Sequence, residues 1–189
     1  MFASLAIMGS PGPSTISLVG AAVAYGVRRS LAYCVGLVVG TTVVLLAAAT
    51  GVTAVLLAVP ALRWVLLVAA AGYILWLAYH LATARPLAEQ TAADHRPSLV
   101  DGVVLGVLNP KAWIAIAAVF ASAHLASSAV ADATLKIPLL AFMVVLIHAL
   151  WLLAGRLLMP AMRHPTRARA VNITLAVLLV AATALALVP

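Results

Sequence analysis

Apolar residues fill six long blocks of this chain, separated by short polar stretches. The blocks run from about Phe2 to Ala24, Ser30 to Val59, Leu62 to Thr83, Leu99 to Ala123, Leu135 to Met159 and Ala170 to Val188. Each is close to or above the roughly 18 to 20 residues that carry a helix across a bilayer. Two blocks are interrupted near their centres. The first holds Ser10-Pro11-Gly12-Pro13-Ser14-Thr15, and the fourth holds Asn109-Pro110-Lys111. Proline has no backbone N–H to give a helix interior, so the helix must bend or restart at both places. Asn109 is a favoured N-cap and Pro110 a favoured first helical residue, which predicts a second half-helix starting inside the membrane. The pattern predicts an all-α integral membrane protein of six transmembrane helices, with helices 1 and 4 broken.

The two interruptions sit at matching places in two sets of three spans. An odd number of spans per set makes the sets inverted with respect to each other, a design used by transporters. The expected organisation is one domain over residues 1–189. Its first repeat covers about 1–84, a polar connection about 85–97, and the second repeat about 98–189.

Composition agrees with this reading. The chain is 66% hydrophobic and 8% charged, against about 25% charged in soluble domains. Its formal charge of +7 does not imply nucleic acid, because the basic residues lie between spans and not in a patch with interleaved aromatics. Arg28, Arg29, Arg85, Arg96, Arg156, Arg163, Arg167 and Arg169 follow spans one, three and five, whereas Arg63 and Lys136 lie on the other side. An excess of arginine and lysine marks the cytoplasmic face, which puts both termini on the non-cytoplasmic side. The N-terminus has no positive leader and is read as a retained span. The single cysteine, Cys34, excludes an internal disulfide, a paired-cysteine zinc motif and a thiol–disulfide electron carrier. His80, His95, His124 and His164 are scattered without metal-ligand spacing, and no cofactor is implied. No acid, base and nucleophile constellation points to an enzyme.

Candidate chemistry collects at the breaks. A charge deep in a membrane is costly and marks a functional site by default. Lys111 therefore either binds an anion such as a carboxylate, helped by the positive end of the half-helix, or caps backbone carbonyls at the break. Pro11, Gly12, Pro13, Asn109 and Pro110 either expose unwound backbone to a substrate or only kink the bundle. Ser14 and Thr15 bring hydroxyls to the first break, where they contact substrate or bond back to their own helix. Thr41 and Thr42 in span two offer substrate contacts or helix–helix hydrogen bonds. His148 has a reference pKa near neutrality and is a candidate proton relay, or else a histidine bonded to a neighbouring helix. Gly36 and Gly40, like Gly102 and Gly106, are spaced for close helix approach, within the bundle or at a homodimer seam. The arginine-rich connection after span five is placed to meet anionic lipid headgroups.

Four stretches together resemble a known family. They are Pro11-Gly12-Pro13, the segment Gly36 to Gly40, Gly72-Tyr73-Ile74-Leu75-Trp76-Leu77, and Gly102-Val103-Val104-Leu105-Gly106-Val107-Leu108-Asn109-Pro110-Lys111-Ala112-Trp113. They look like the LysE/RhtB family of amino-acid exporters, over about residues 5 to 120. The resemblance implies a bacterial inner-membrane protein that exports an amino acid or similar small amine in exchange for protons. Two positions depart from the family's pattern. Ser14 stands where Asn or Asp is common, and Thr41 and Thr42 lie where span two often carries Asp or His. The rival readings are another small amine or an ion on the same scaffold, or a membrane protein that only binds partners. A metal-ion carrier is disfavoured by the lack of mid-membrane carboxylates and cysteines.

Overall fold

The computed structural model describes residues 8–51, 59–84, 96–122, 125–158, 160 and 164–187. Among these residues the regular structure is helical, without strands. Helix α1 is Pro13–Tyr25, and a 3-10 turn, Arg28–Ser30, leads into α2, Leu31–Ala49. Then follow α3 (Pro60–Ala82), α4 (Leu99–Leu108), α5 (Pro110–Ser122), α6 (Ala129–Leu158) and α7 (Pro165–Leu187).

Local sequence accounts for the helix starts. Pro13, Pro60, Pro110 and Pro165 each open a helix, where the missing N–H costs nothing. Ser98 caps α4 by accepting from Asp101 N, and the Asp101 carboxylate returns to the Ser98 N–H at 2.7 Å. Gly26 turns the chain after α1 with φ 86°, a conformation open to glycine at little cost.

Three helical stretches are individually long and apolar enough to cross a membrane: Arg28–Ala49, Ala129–Leu158 and Thr166–Ala184. Leu99–Leu108 and Pro110–Ala121 together make a fourth crossing, bent by 55° at the break. Pro13–Tyr25 and Leu67–Ala82 are apolar but shorter. By length alone the described residues thus hold up to four of the six expected spans. The start of span one at residues 2–7, the end of span two at residues 52–58 and most of the 85–97 connection lie outside the described residues, as do Arg85, His95 and Arg163.

Helix α6 begins at Ala129 rather than near Leu135, and α7 at Pro165 rather than near Ala170. The first difference has a clear cause. Asp132 accepts the Leu125 N–H at 2.6 Å and pairs with Lys136 one turn on, so a charged turn extends the apolar helix. Lys136, expected at the start of span five on the side with few basic residues, is 1% exposed; its ammonium reaches Phe120 O at 3.3 Å and lies over the Phe120 ring.

Glycines set the main seam. A Cβ on Gly36 would sit 2.1 Å from Leu99 O, and one on Gly40 would sit 2.4 Å from Val103 O. Gly102 and Gly106 face back onto Gly36 and Gly40, so α2 and α4 run parallel in backbone contact. The four glycines are therefore used within the chain and are not free to form a dimer seam. Gly155 makes the matching close approach to Ala22 and Val19, so α6 lies along α1. The stripe opposite the α2 glycines, Leu31, Val35, Val39, Val43 and Leu46, is exposed, as are Leu153 and Leu157 on α6. Outward-facing aliphatic stripes on tightly packed helices suit a lipid surround.

Candidate functional site

The site is where the two breaks meet. Helix α4 ends at Leu108, Asn109 takes an extended conformation (φ −70°, ψ 105°), and α5 starts at Pro110. Asn109 Oδ1 accepts the Lys111 N–H at 3.1 Å, the N-cap bond expected from its type. The other side of the Asn109 amide crosses to the first break, where Nδ2 donates to Ser14 Oγ at 2.7 Å. Both breaks lie on the order of 15 Å from the ends of α4 and α5, at 1.5 Å per residue.

The first break is built from Gly12 and Thr15. Gly12 precedes Pro13 in extended backbone, and Thr15 Oγ1 accepts the Gly12 N–H at 2.8 Å. Ser17 Oγ donates to Ser14 O at 2.9 Å and in turn accepts from the buried Tyr33 hydroxyl at 2.9 Å, which ties α1 to α2.

Lys111 crosses from the second break to the first. Its ammonium donates to Ser10 O, to Ser10 Oγ at 2.8 Å and to Pro11 O at 3.2 Å. In this state it caps carbonyls at the partner break. Trp151 Nε1 donates to Gly9 O at 3.1 Å, and Trp113 Nε1 donates to Val107 O at 2.6 Å. Broken helices leave orphan carbonyls that lipid cannot satisfy, and here lysine and tryptophan side chains supply the donors. Local sequence does not mark Ser10 and Trp151 as site residues, because their roles rest on contacts far apart in the chain.

A cavity of about 40 Å³ opens at this junction. It brings together Gly12, Ser14, Thr15, Thr41, Asn109, Lys111 and His148 among the expected residues, with Met8, Ala112, Ala115, Ile116, Val144 and Ile147 as apolar wall. Such a volume admits water and is far below the roughly 300–1,000 Å³ of a pocket holding a drug-sized ligand, so this state is constricted. Pro11, Pro13, Thr42 and Pro110 do not line it. Pro13 and Pro110 sit one step behind as first helical residues, and Thr42 donates to Val38 O of its own helix at 2.7 Å.

Two of the lining side chains stand apart. Thr41 Oγ1 and His148 Nε2 are buried without a hydrogen-bond partner among the described residues. His148 Nδ1 lies 2.8 Å from Val144 O. A carbonyl only accepts, so Nδ1 carries a proton, and in the neutral ring Nε2 presents a lone pair. No group of three His, Cys, Asp or Glu able to hold a metal occurs among the described residues.

The family profile for LysE type translocators matches residues 5–188. The chain belongs to the LysE type translocator family. The translocator is also similar to cysteine/O-acetylserine efflux proteins of Salmonella choleraesuis (strain SC-B67), Salmonella typhimurium and Salmonella typhi. Each is 31% identical over 172 residues, covering 90% of this chain and 87% of the relative. No solved structure matches the translocator significantly. Family membership makes it a carrier rather than an enzyme, and with its apolar helices of crossing length it is a multi-pass membrane protein.

Proposed function

We propose that this translocator exports a small amino acid or related zwitterion across the bacterial inner membrane in exchange for protons. The junction of two broken helices carries the reading: an amphoteric cavity whose lining includes Lys111, two helix N-termini and buried acceptors without a partner among the described residues. A carboxylate entering it would take Lys111 from the Ser10 and Pro11 oxygens and receive the positive ends of α1 and α5. The efflux activity named for the Salmonella relatives supports the substrate class.

The transport cycle in this proposal rocks two inverted halves around the cavity. The packing supports such a pair of halves. Helix α1 lies along α6 as the α4–α5 span lies along α2, α3 packs on α7, and α2 on α6. This pattern maps onto itself when the first three spans are exchanged for the last three. The basic residues support a cytoplasmic face at the end where Arg28, Arg29 and Arg156 line one surface recess, with both termini opposite.

The test is excretion. Cells producing the chain should release one or more small amino acids into the medium faster than cells producing Lys111→Ala at equal abundance. A wild-type chain that releases nothing from a broad amino-acid and amine panel would end the exporter reading. Equal release by Lys111→Ala would remove the carboxylate role alone. A reporter fused at the C-terminus should be active only outside the cytoplasm.

A further inference from the structure

The cavity lining holds two chemically different sets of groups. Lys111 and the first turns of α1 and α5 present donors and positive charge. To the same lining, α2 and α6 contribute Thr41 Oγ1 and His148 Nε2, each on a residue only 5% exposed and each without a partner among the described residues. Buried polar atoms normally find hydrogen-bond partners, and the exceptions call for an explanation. Three such atoms occur among the described residues; Asn172 Oδ1 is not in this lining, and the other two line this one cavity together with Lys111. An acceptor pair and a donor set in one cavity match the two ends of a zwitterion.

We infer that His148 Nε2 and Thr41 Oγ1 hold the ammonium group of the substrate, and that the coupled proton competes for the same Nε2 lone pair. This rests on the exporter reading above and assigns the amine end and the coupling group within it. Hydrogen bonding of Nδ1 to Val144 O leaves Nε2 as the free acceptor of the neutral ring. Neutral His148 accepts an N–H from the ammonium. Protonated His148 has no lone pair to offer and repels the ammonium by like charge. Facing the cytoplasm, imidazolium releases its proton from Nε2 to water, and the ammonium takes the vacated position. Facing outward, the amino acid leaves and a proton from external water binds Nε2. One proton enters for each substrate that leaves, and no covalent bond of the substrate changes. Among the elements around His148, α1 contributes the neutral Ser14 and Thr15, α2 contributes Thr41, and α5 contributes Lys111, the one charged group lining the cavity among the described residues. Anchoring Lys111 to Ser10 and Pro11 holds that charge at the first break.

The test uses the full chain in proteoliposomes, with O-acetylserine and its analogue lacking the amino group. Wild-type affinity for O-acetylserine in counterflow should weaken as pH falls between about 8 and 5. His148→Gln keeps an acceptor but cannot take the proton. Its counterflow should persist with an affinity independent of pH, and a pH gradient should no longer drive accumulation. Thr41→Val should weaken O-acetylserine about tenfold, the scale of a lost hydrogen bond to a charged group, and leave the desamino analogue unchanged. A flat wild-type pH profile overturns the inference without needing any variant to fold. So does proton-driven accumulation by His148→Gln, or equal weakening of both ligands by Thr41→Val. A wild type that exchanges no amino acid at all removes the exporter reading and this inference with it. Exchange with wild-type behaviour in both variants removes only the inference.

Discussion

Gly12 shows how single residues set this site. Its φ of −163° is extended backbone that any residue adopts, so the demand is for space. A Cβ there would lie 2.6 Å from Lys111 Cδ. Because that neighbour is a flexible stem, Gly12→Ala should leave the fold standing and push the ammonium off Ser10 and Pro11. The expected outcome is a transport loss of about tenfold or more, the weight of one displaced charge-assisted bond, in a chain that still folds but with a thermal midpoint lowered by the uncapped carbonyls. Gly9→Ala, which meets nothing within 4 Å, is the control; transport by Gly12→Ala at the wild-type rate would refute the placement. The residue types at the breaks were legible in the sequence. Asn109 and Pro110 announce a helix start by local rules, and Lys111 announces itself by its cost in lipid. The partners were not legible. Ser10 is 101 residues from Lys111, and no local preference pairs them. The convergence of Thr41 with His148 is likewise a product of packing, and their separate identities gave no sign of it.

Among the elements, α2 and α4 carry the closest contact. The four-residue glycine spacing was readable and predicted a close approach, but the pattern does not name the partner, and a second copy of the chain would have served equally. In the structure the glycines face each other across parallel helices. Gly36→Ala and Gly102→Ala would bring a methyl to about 2.1 and 2.2 Å from backbone oxygens of Leu99 and Tyr33, which cannot swing aside. Each should destabilise by roughly 1–3 kcal/mol, as overpacking does, seen as a lower thermal midpoint in detergent. Gly72→Ala, facing open space, should cause no loss; an equal loss at Gly72 would mean that backbone proximity is not the reason. The early start of α6 was not legible, because hydropathy excludes the charged turn from the span. Asp132 and Lys136 satisfy each other one turn apart, and only the folded helix brings Leu125 and Phe120 to them.

For the whole molecule, the span pattern made the all-α membrane class legible from sequence, since lipid imposes the length of a crossing. How the helices pair is decided by shape and lay beyond the pattern. The Asp132–Lys136 pair lies at the end of α6 opposite Arg156. Removing one partner strands a buried charge, whereas removing both leaves none. Asp132→Ala should therefore lower the thermal midpoint more than the double variant Asp132→Ala/Lys136→Met does, and simple additivity of the two losses would mean the pair does not hold this end together.

The bond from Lys111 to Ser10 also has a consequence for biogenesis. Translation proceeds at roughly 5–20 residues per second, so the 101 residues between them take about 5–20 s to synthesise. Over that interval the nascent first half has neither the lysine for its Ser10 and Pro11 carbonyls nor α4 for the groove on α2, and Gly9 waits longer still for Trp151. A half-made chain released into hydrocarbon would carry those groups unpaired. The ribosome and insertion machinery must therefore keep the first break and the groove on α2 beside water or a protein surface until the second break emerges, and a chain ending before residue 111 is a natural substrate for membrane quality control.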